Sequence, residues 1–202
     1  MVRIRREDSH RHRRSIRNRE EVAQEFLNIG ANVVISDMAE NAPEMDAKEG
    51  QLLYVRTDVT KVSDVEAMVA KTIETFGTID VLVNNAGINI PRLLVDPKDP
   101  KGQYELDEAV WDKVCNVNLK GVFFCAQAVG RILVEKGEGV IINMSSESGL
   151  EGSEGQSVYA ATKNASKLFN KIMGKRIRKT GSSRCRSSTW NHGSYRTSYN
   201  CL

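Results

Sequence analysis

The side chains with the most chemical potential in this 202-residue chain lie in the stretch INMSSESGLEGSEGQSVYAATK, residues 142–163. Tyr159 and Lys163 stand four residues apart, which places them on one face of a helix. A lysine ammonium beside a phenol favours the phenolate, and a tyrosine that can both give and take a proton near neutral pH is a general acid–base. Ser146, thirteen residues before Tyr159, ends an apolar run and can hydrogen-bond the substrate oxygen that Tyr159 would protonate. A Tyr/Lys pair alone is commonly a surface pair. Joined to Ser146 and the NNAG strand, it points instead to general acid–base chemistry.

Three further groups could bind a ligand. Asp37 closes the β-branched run ANVVISD. In a nucleotide-binding unit, a carboxylate there accepts both hydroxyls of an adenosine ribose and repels a 2′-phosphate, favouring NAD over NADP. A strand-end aspartate is also an ordinary turn residue. Asn84-Asn85-Ala86-Gly87 follows the apolar run IDVLV. Two successive amides there need partners, and Gly87 lets a ligand or backbone approach. Arg92, just beyond, can grip a phosphate bidentately. With Lys98 and Lys101 it could equally serve to solubilise a Pro/Gly-punctuated loop.

The elements that must hold these residues alternate. EEVAQEFLNIG is a helix stopping at Gly30, and strands are expected over 31–37 and 52–58. SDVEAMVAKTIETFG reads as a helix capped by Ser63 and ended by Gly77. IDVLVNNAG is a nearly all-apolar strand, as in a parallel sheet covered on both faces. A long helix over about 106–136, the strand GVIINMSS and a helix from about Ser157 complete the pattern. This predicts an α/β fold with a doubly wound parallel, Rossmann-like sheet. Such sheets bind ligands beyond the carboxyl ends of their strands, where Asp37, Asp58–Val59, Asn84–Gly87 and Ser145–Ser146 fall.

Hydrophobic residues at 40% and charged residues at 27% suit a single globular domain. Neither a membrane-spanning apolar run nor a signal-type segment is read. Cys115, Cys125, Cys185 and Cys201 have no metal spacing, so reduced thiols in a cytoplasmic setting are expected. The net charge of +3 is unevenly spread: residues 1–19 hold eight arginines and two histidines, without apolar periodicity. Such an arm could contact nucleic acid or act as a targeting leader. No aromatic residues interleave with those arginines, and an unstructured arm is the simpler reading.

Taken together, NNAG at 84–87, NVNLKG at 116–121, INMSS at 142–146 and YAATK at 159–163 resemble the short-chain dehydrogenase/reductase family in content, order and spacing. The likeness covers residues 20 to about 165. It implies a Rossmann-fold oxidoreductase in which Tyr159 is the general acid–base and Lys163 assists it and holds the nicotinamide ribose. It further implies that Ser146 orients the substrate carbonyl and that Asn118 holds a proton-relay water in a helix kink. Asp37, Asp58, Val59 and Asn85 would contact NAD. Association into a homo-oligomer through two long helices also follows from the resemblance. INIPRLLVDPKDPKGQYELDE and the approach to Tyr159 are similar to members acting on a sugar phosphate or polyol phosphate, which gives Arg92 its substrate role.

Both ends depart from that family's pattern. No glycine-rich TGxxxGxG loop precedes the first helix, and no Pro-Gly stretch follows the Tyr159 helix. Glycine codons begin GG, so a frame read one base early meets xGG, which encodes Arg, Gly or Trp. Codons for VIVTGGASGIGK, read so, can yield SHRHRRSIRNRE at residues 9–20. Codons for LNSLTRSWAKELGK can yield residues 166–179, and those for APGIMEATGLRT can yield 188–199. The chain therefore reads as an in-frame middle, 20–165, between out-of-frame ends, 1–19 and 166–202, lacking the first strand and the C-terminal strands. Two rivals stand beside an NAD-dependent enzyme: an inactive translation product, and a basic-armed nucleic-acid binder.

Overall fold

The computed structural model describes the backbone of residues 12–179 and 184–190 and the side chains of residues 20–170. The basic arm before His12 and the tail beyond Trp190, with Cys201, lie outside the described residues.

Helix α1 spans His12–Asn28 and strand β1 Val33–Asp37. They are joined through Gly30, whose φ of +86° suits glycine and lets its N–H close on Leu27 O at 2.9 Å. β2, Leu52–Arg56, pairs parallel to β1 with Val33 opposite Leu52 and Asp37 opposite Arg56. α2 follows at Val62–Phe76. Its cap position is Lys61 rather than Ser63, and no side chain caps it. Asp64 supplies order there instead, accepting from Asp58 N at 3.0 Å.

β3, Val81–Asn84, and β4, Glu138–Met144, pair parallel with Leu82 opposite Ile141. Between them runs one long helical stretch: α3 at Glu108–Cys115, a π-helical turn at Asn116–Lys120, and α4 at Gly121–Lys136. Asp107 caps α3 by accepting from Val110 N at 2.7 Å. By length and mean hydropathy, Glu108–Lys136 could cross a membrane. Here Val114, Val122, Cys125, Val129 and Leu133 are buried, as in the core helix of a globular domain. The short helix α5, Ser148–Glu151, leads to α6, Ser157–Lys179.

Two expectations about the ends are corrected. Residues 12–19, expected to be unstructured, continue α1 as helix. Arginine and glutamate are good helix formers, and no glycine or proline interrupts 12–28. The segment after α6, expected to leave the sheet without a strand, forms β5 at Arg184–Trp190, parallel to β4 along its whole length. A right-handed return after α6 reaches β4's outer edge, and a ladder there needs only backbone groups, whatever the polarity of RCRSSTW.

Among the described residues the sheet is in two pieces; the segment before His12, where a first strand was expected to be missing, lies outside them. β1–β2 form one parallel sheet and β3–β4–β5 another, with no ladder between β1 and β3. The two pieces still share their layers. On one face Leu82 and Ile141 pack with Val65 and Met68 of α2 and with Val129 and Leu133 of α4. On the other, Val33 and Ile35 of β1 and Val83 of β3 pack under Ala23 and Leu27 of α1.

Candidate active site

The site is built where β3, β4, the π-helical turn and α6 meet. Lys163 is buried, and its Nζ donates to Met144 O, at the carboxyl end of β4, at 2.9 Å. The same ammonium lies 5.8 Å from the centre of the Tyr159 ring. The helical four-residue spacing therefore delivers the pair, and β4 fixes its charged member. Gly87 makes room for it: a Cβ at that position would sit 3.2 Å from Lys163 Nζ and 3.5 Å from Asn118 Oδ1. A side chain at Gly87 would therefore crowd the Lys163 ammonium by a few tenths of an ångström.

Asn118, 1% exposed, sits in the π-helical turn. π-helical turns commonly mark functional sites because the widened turn redirects side chains. The Asn118 amide clamps the chain after β3. Its Oδ1 accepts from Ile88 N at 2.8 Å, and its Nδ2 donates to Ile88 O at 2.9 Å and Thr162 Oγ1 at 3.2 Å. Gly121, at the start of α4, lets that helix come down on β2's end; a Cβ there would lie 2.5 Å from Val59 Cγ2.

Ser146 stands two residues past β4, and its carbonyl accepts Gly149 N to open α5. α5 rests on α6 at Lys163, where a Cβ on Gly149 would fall 3.1 Å from Lys163 Cβ. The segment from Ser146 through α5 is thereby laid against α6 at Lys163. Arg92 is drawn to the same helix: its N–H donates to Gly155 O at 2.7 Å, and it forms a parallel bridge with Gln156, three residues before Tyr159. The guanidinium donates from Nη1 to Pro91 O at 2.8 Å.

The remaining residues lie at the ends of β1, β2 and β3. Asp37 is buried; its Oδ1 accepts from Ala39 N at 2.9 Å, and its Oδ2 is buried with no hydrogen-bond partner. A buried carboxylate oxygen without a donor is costly, and a ligand hydroxyl would satisfy it. Asp58 turns its carboxylate onto Thr60, accepting from N at 3.0 Å and from Oγ1 at 2.8 Å. Val59 and Asn85 line one cleft with Ser36.

Some of the supporting residues, Asn143, Thr162 and Asn170, carried no signal of their own in the sequence, whereas Asn84 and Ser145 stood at strand ends already marked as ligand-facing. Asn84 Nδ2 donates to Asn143 Oδ1 at 2.8 Å, and Asn143 Nδ2 to Asn170 Oδ1 at 2.6 Å, forming a buried amide chain from β3 through β4 to α6. Ser145 Oγ donates to Lys163 O at 3.1 Å, and Thr162 Oγ1 to Tyr159 O at 2.8 Å. The one available hint was polarity at strand positions expected to be buried.

The family model described as short chain dehydrogenase matches residues 20–194. The chain belongs to the short chain dehydrogenase family. The match runs past Ala165, where the likeness was expected to stop, across the rest of α6 and β5. The chain is 46% identical over 160 residues to a sorbitol-6-phosphate 2-dehydrogenase of Klebsiella pneumoniae, covering 79% of this chain and 59% of that protein. It is 36% identical over 148 residues to a 3beta-hydroxysteroid dehydrogenase 2 of Eggerthella lenta, covering 70% and 54%. A 3-oxoacyl-acyl-carrier-protein reductase of Staphylococcus epidermidis is 37% identical over 145 residues, covering 71% and 56%. The chain thus spans a little over half the length of these relatives.

As a short-chain dehydrogenase, the chain can be tested for fit to a dinucleotide. At one end Asp37 Oδ2, buried without a partner, leaves an acceptor that a ligand hydroxyl could satisfy. The pyrophosphate region does not fit. A pyrophosphate needs backbone N–H groups at a helix N-terminus near residue 20, and α1 runs through that point to His12.

Proposed function

We propose that this chain carries the catalytic half of an NAD-dependent short-chain dehydrogenase that interconverts sorbitol 6-phosphate and fructose 6-phosphate in the cytoplasm. The observation that carries this reading is the buried Lys163 ammonium, tied to Met144 O and held over the Tyr159 ring. A fixed cation beside the phenol favours its ionised form, so Tyr159 Oη can take the proton from the carbinol hydroxyl during oxidation and return it during reduction. Ser146 donates a hydrogen bond to the same substrate oxygen and orients it. Asn118 acts as a positioning residue, because its amide is committed to Ile88 and Thr162. NAD would supply the hydride acceptor only where the frame-restored glycine loop holds its pyrophosphate, which α1 running to His12 does not.

For the substrate, support comes from the Klebsiella relative and from Arg92. That arginine's backbone is tied beside Gln156 at the start of the Tyr159 helix, where a phosphate on the substrate's far end could meet the guanidinium. For the cofactor, the unpartnered Asp37 Oδ2 supports NAD over NADP. The experiment uses a frame-restored protein, in which the two ends carry the glycine-loop and Pro-Gly sequences given above. NADH formation is followed with sorbitol 6-phosphate and with sorbitol. Turnover of the phosphate and at least a tenfold poorer kcat/KM for sorbitol are expected. A restored protein that binds NADH yet oxidises neither polyol would overturn the substrate reading.

A further inference from the structure

Three consecutive residues at the carboxyl end of β4 each hold α6. Asn143 donates from Nδ2 to Asn170 Oδ1 at 2.6 Å, Met144 O accepts from Lys163 Nζ at 2.9 Å, and Ser145 Oγ donates to Lys163 O at 3.1 Å. Successive strand residues face opposite sides of a sheet, and Met144 packs its side chain with the β1 and α1 cluster. Asn143 and Ser145 therefore both face α6, and they and Asn170 are buried. The two levels of this grip, Lys163 and Asn170, lie about 10 Å apart along the helix axis. Seven residues separate them, close to two helical turns, so both levels fall on one side of α6.

This side of the helix is polar where a core helix would be apolar. Tyr159, Lys163, Ser166 and Asn170 follow one another at helical spacing, and the last three are buried. Apolar burial is non-directional and would tolerate a helix turned by several degrees. Hydrogen bonds at two levels would not, because they weaken steeply off their preferred angles. The rotation matters at Tyr159, one turn before Lys163. A turn of about 10° moves a group about 6 Å from the helix axis by about 1 Å, and a misplacement of that size can cost about 10²-fold in rate. The far level is anchored in the sheet, since Asn143 Oδ1 also accepts from Asn84 Nδ2 at 2.8 Å, in register across β3 and β4.

We propose, on the catalytic reading of the Tyr159–Lys163 pair given above, that Ser145 and Asn143 are positioning residues that set the rotation of α6 and so the placement of Tyr159 against Lys163. Both act through the helix rather than on substrate. The Ser145 hydroxyl donates to Lys163 O, and the Asn143 amide bonds Asn84 and Asn170. The two adjacent serines thus divide the work: Ser145 holds the helix and Ser146 meets the substrate oxygen. Ser145 and Lys163 lie in the in-frame middle of the chain, whereas Asn170 lies in the segment where frame restoration would place threonine.

The test uses the 202-residue chain labelled on tyrosine and lysine. The NOE between the Tyr159 ring and the Lys163 ε-methylene reports their placement, and Tyr159→Phe assigns it by removing the labelled ring. Ser145→Ala and Asn170→Ala should each at least halve that NOE while melting stays cooperative. Ser145→Thr, which keeps the hydroxyl, should retain it. In the frame-restored protein, Ser145→Ala should lower kcat at least tenfold with KM for sorbitol 6-phosphate within twofold, and Ser145→Thr should recover most of the loss. Should Ser145→Ala lose its cooperative melt, Asn170→Ala decides from the other level. An NOE unchanged in the alanine variants would overturn the proposal even if the melting midpoint falls, because the bonds would then serve stability alone. So would an NOE absent from the parent chain, or equal losses of kcat in Ser145→Ala and Ser145→Thr. A restored parent that oxidises no polyol, beside an NOE that responds as expected, would remove the substrate reading and leave the positioning role standing.

Discussion

Replacing residues 9–20 by VIVTGGASGIGK should restore cofactor binding, and the size of the gain follows from α1. The helix now begins at His12 rather than near Glu20, so its N-terminus lies about 12 Å further out at 1.5 Å per residue. The N–H groups that would hold a pyrophosphate at residue 20 are instead spent within the helix. A glycine loop returns two or more backbone donors to an anion, each worth about 1.5–3 kcal/mol as a charge-assisted bond. Two of them amount to about 3–6 kcal/mol, or roughly a 10²- to 10⁴-fold change in Kd. The assay is NADH fluorescence titration of both proteins, with adenosine as an internal control because it reaches Asp37 without a pyrophosphate. NADH affinity should rise at least a hundredfold while adenosine affinity changes far less. Micromolar NADH binding by the 202-residue chain, unchanged by the replacement, would refute the reasoning and assign the pyrophosphate to other donors.

Three other outcomes are expected. In the frame-restored protein, Tyr159→Phe should abolish turnover while NADH binding stays nearly intact, since the ring volume is kept and only the proton carrier is lost; steady-state rates with a parallel NADH titration decide this. Asp37→Ala should narrow the preference for NAD over NADP by removing a buried carboxylate, and kcat/KM for the two cofactors measures it; a parent enzyme using both equally would sink the assignment. Burial, with a smaller contribution from Asp112, pushes the Cys115 thiol above its ordinary value, which lowers its thiolate fraction at a given pH. Its alkylation by iodoacetamide should thus rise only at a pH above that for the same cysteine in the urea-unfolded chain, and coincident pH profiles would contradict the assigned burial.

Much of the fold was legible because the middle of the chain keeps its periodicities. Val33–Asp37 and Val81–Asn84 are apolar runs too short for helices, and their buried faces follow from that. The Tyr159–Lys163 pair was legible because helical spacing alone brings the two together. The boundaries that moved did so through local chemistry. Asp64, not Ser63, organises the start of α2, because an Asp58 N–H lies within its reach. The helical start of α1 was misread because irregular hydrophobicity was taken for disorder, whereas arginine-rich sequence without glycine or proline is helix-competent. β5 was misread for a related reason: a parallel edge strand is recruited by the neighbouring ladder, and its side chains need not be apolar. Asn84's need for a partner was legible, but its partners Asn143 and Asn170 were not, because they lie far off in sequence and meet it only when β3, β4 and α6 pack.

The Tyr159–Lys163 pair and the break in the sheet are distinct consequences of one topology. The proposed catalytic pair, Tyr159 and Lys163, is held by β4, α5, α6 and the π-helical turn, and among the described residues no strand joins β1 to β3. The residues proposed to contact a cofactor flank the break in the sheet: Asp37 ends β1, Val59 follows β2, and Asn85 follows β3. The carboxyl ends of adjacent parallel strands form the dinucleotide crevice, and here two of those ends are held together by side-chain packing rather than by a ladder. Completing the sheet should therefore act on the two functions unequally. It would fix the spacing between Asp37 and Asn85, and hence cofactor affinity, far more than the relation of Tyr159 to Lys163. Hydride transfer needs both strand and loop, so turnover should return only when both are present in one protein.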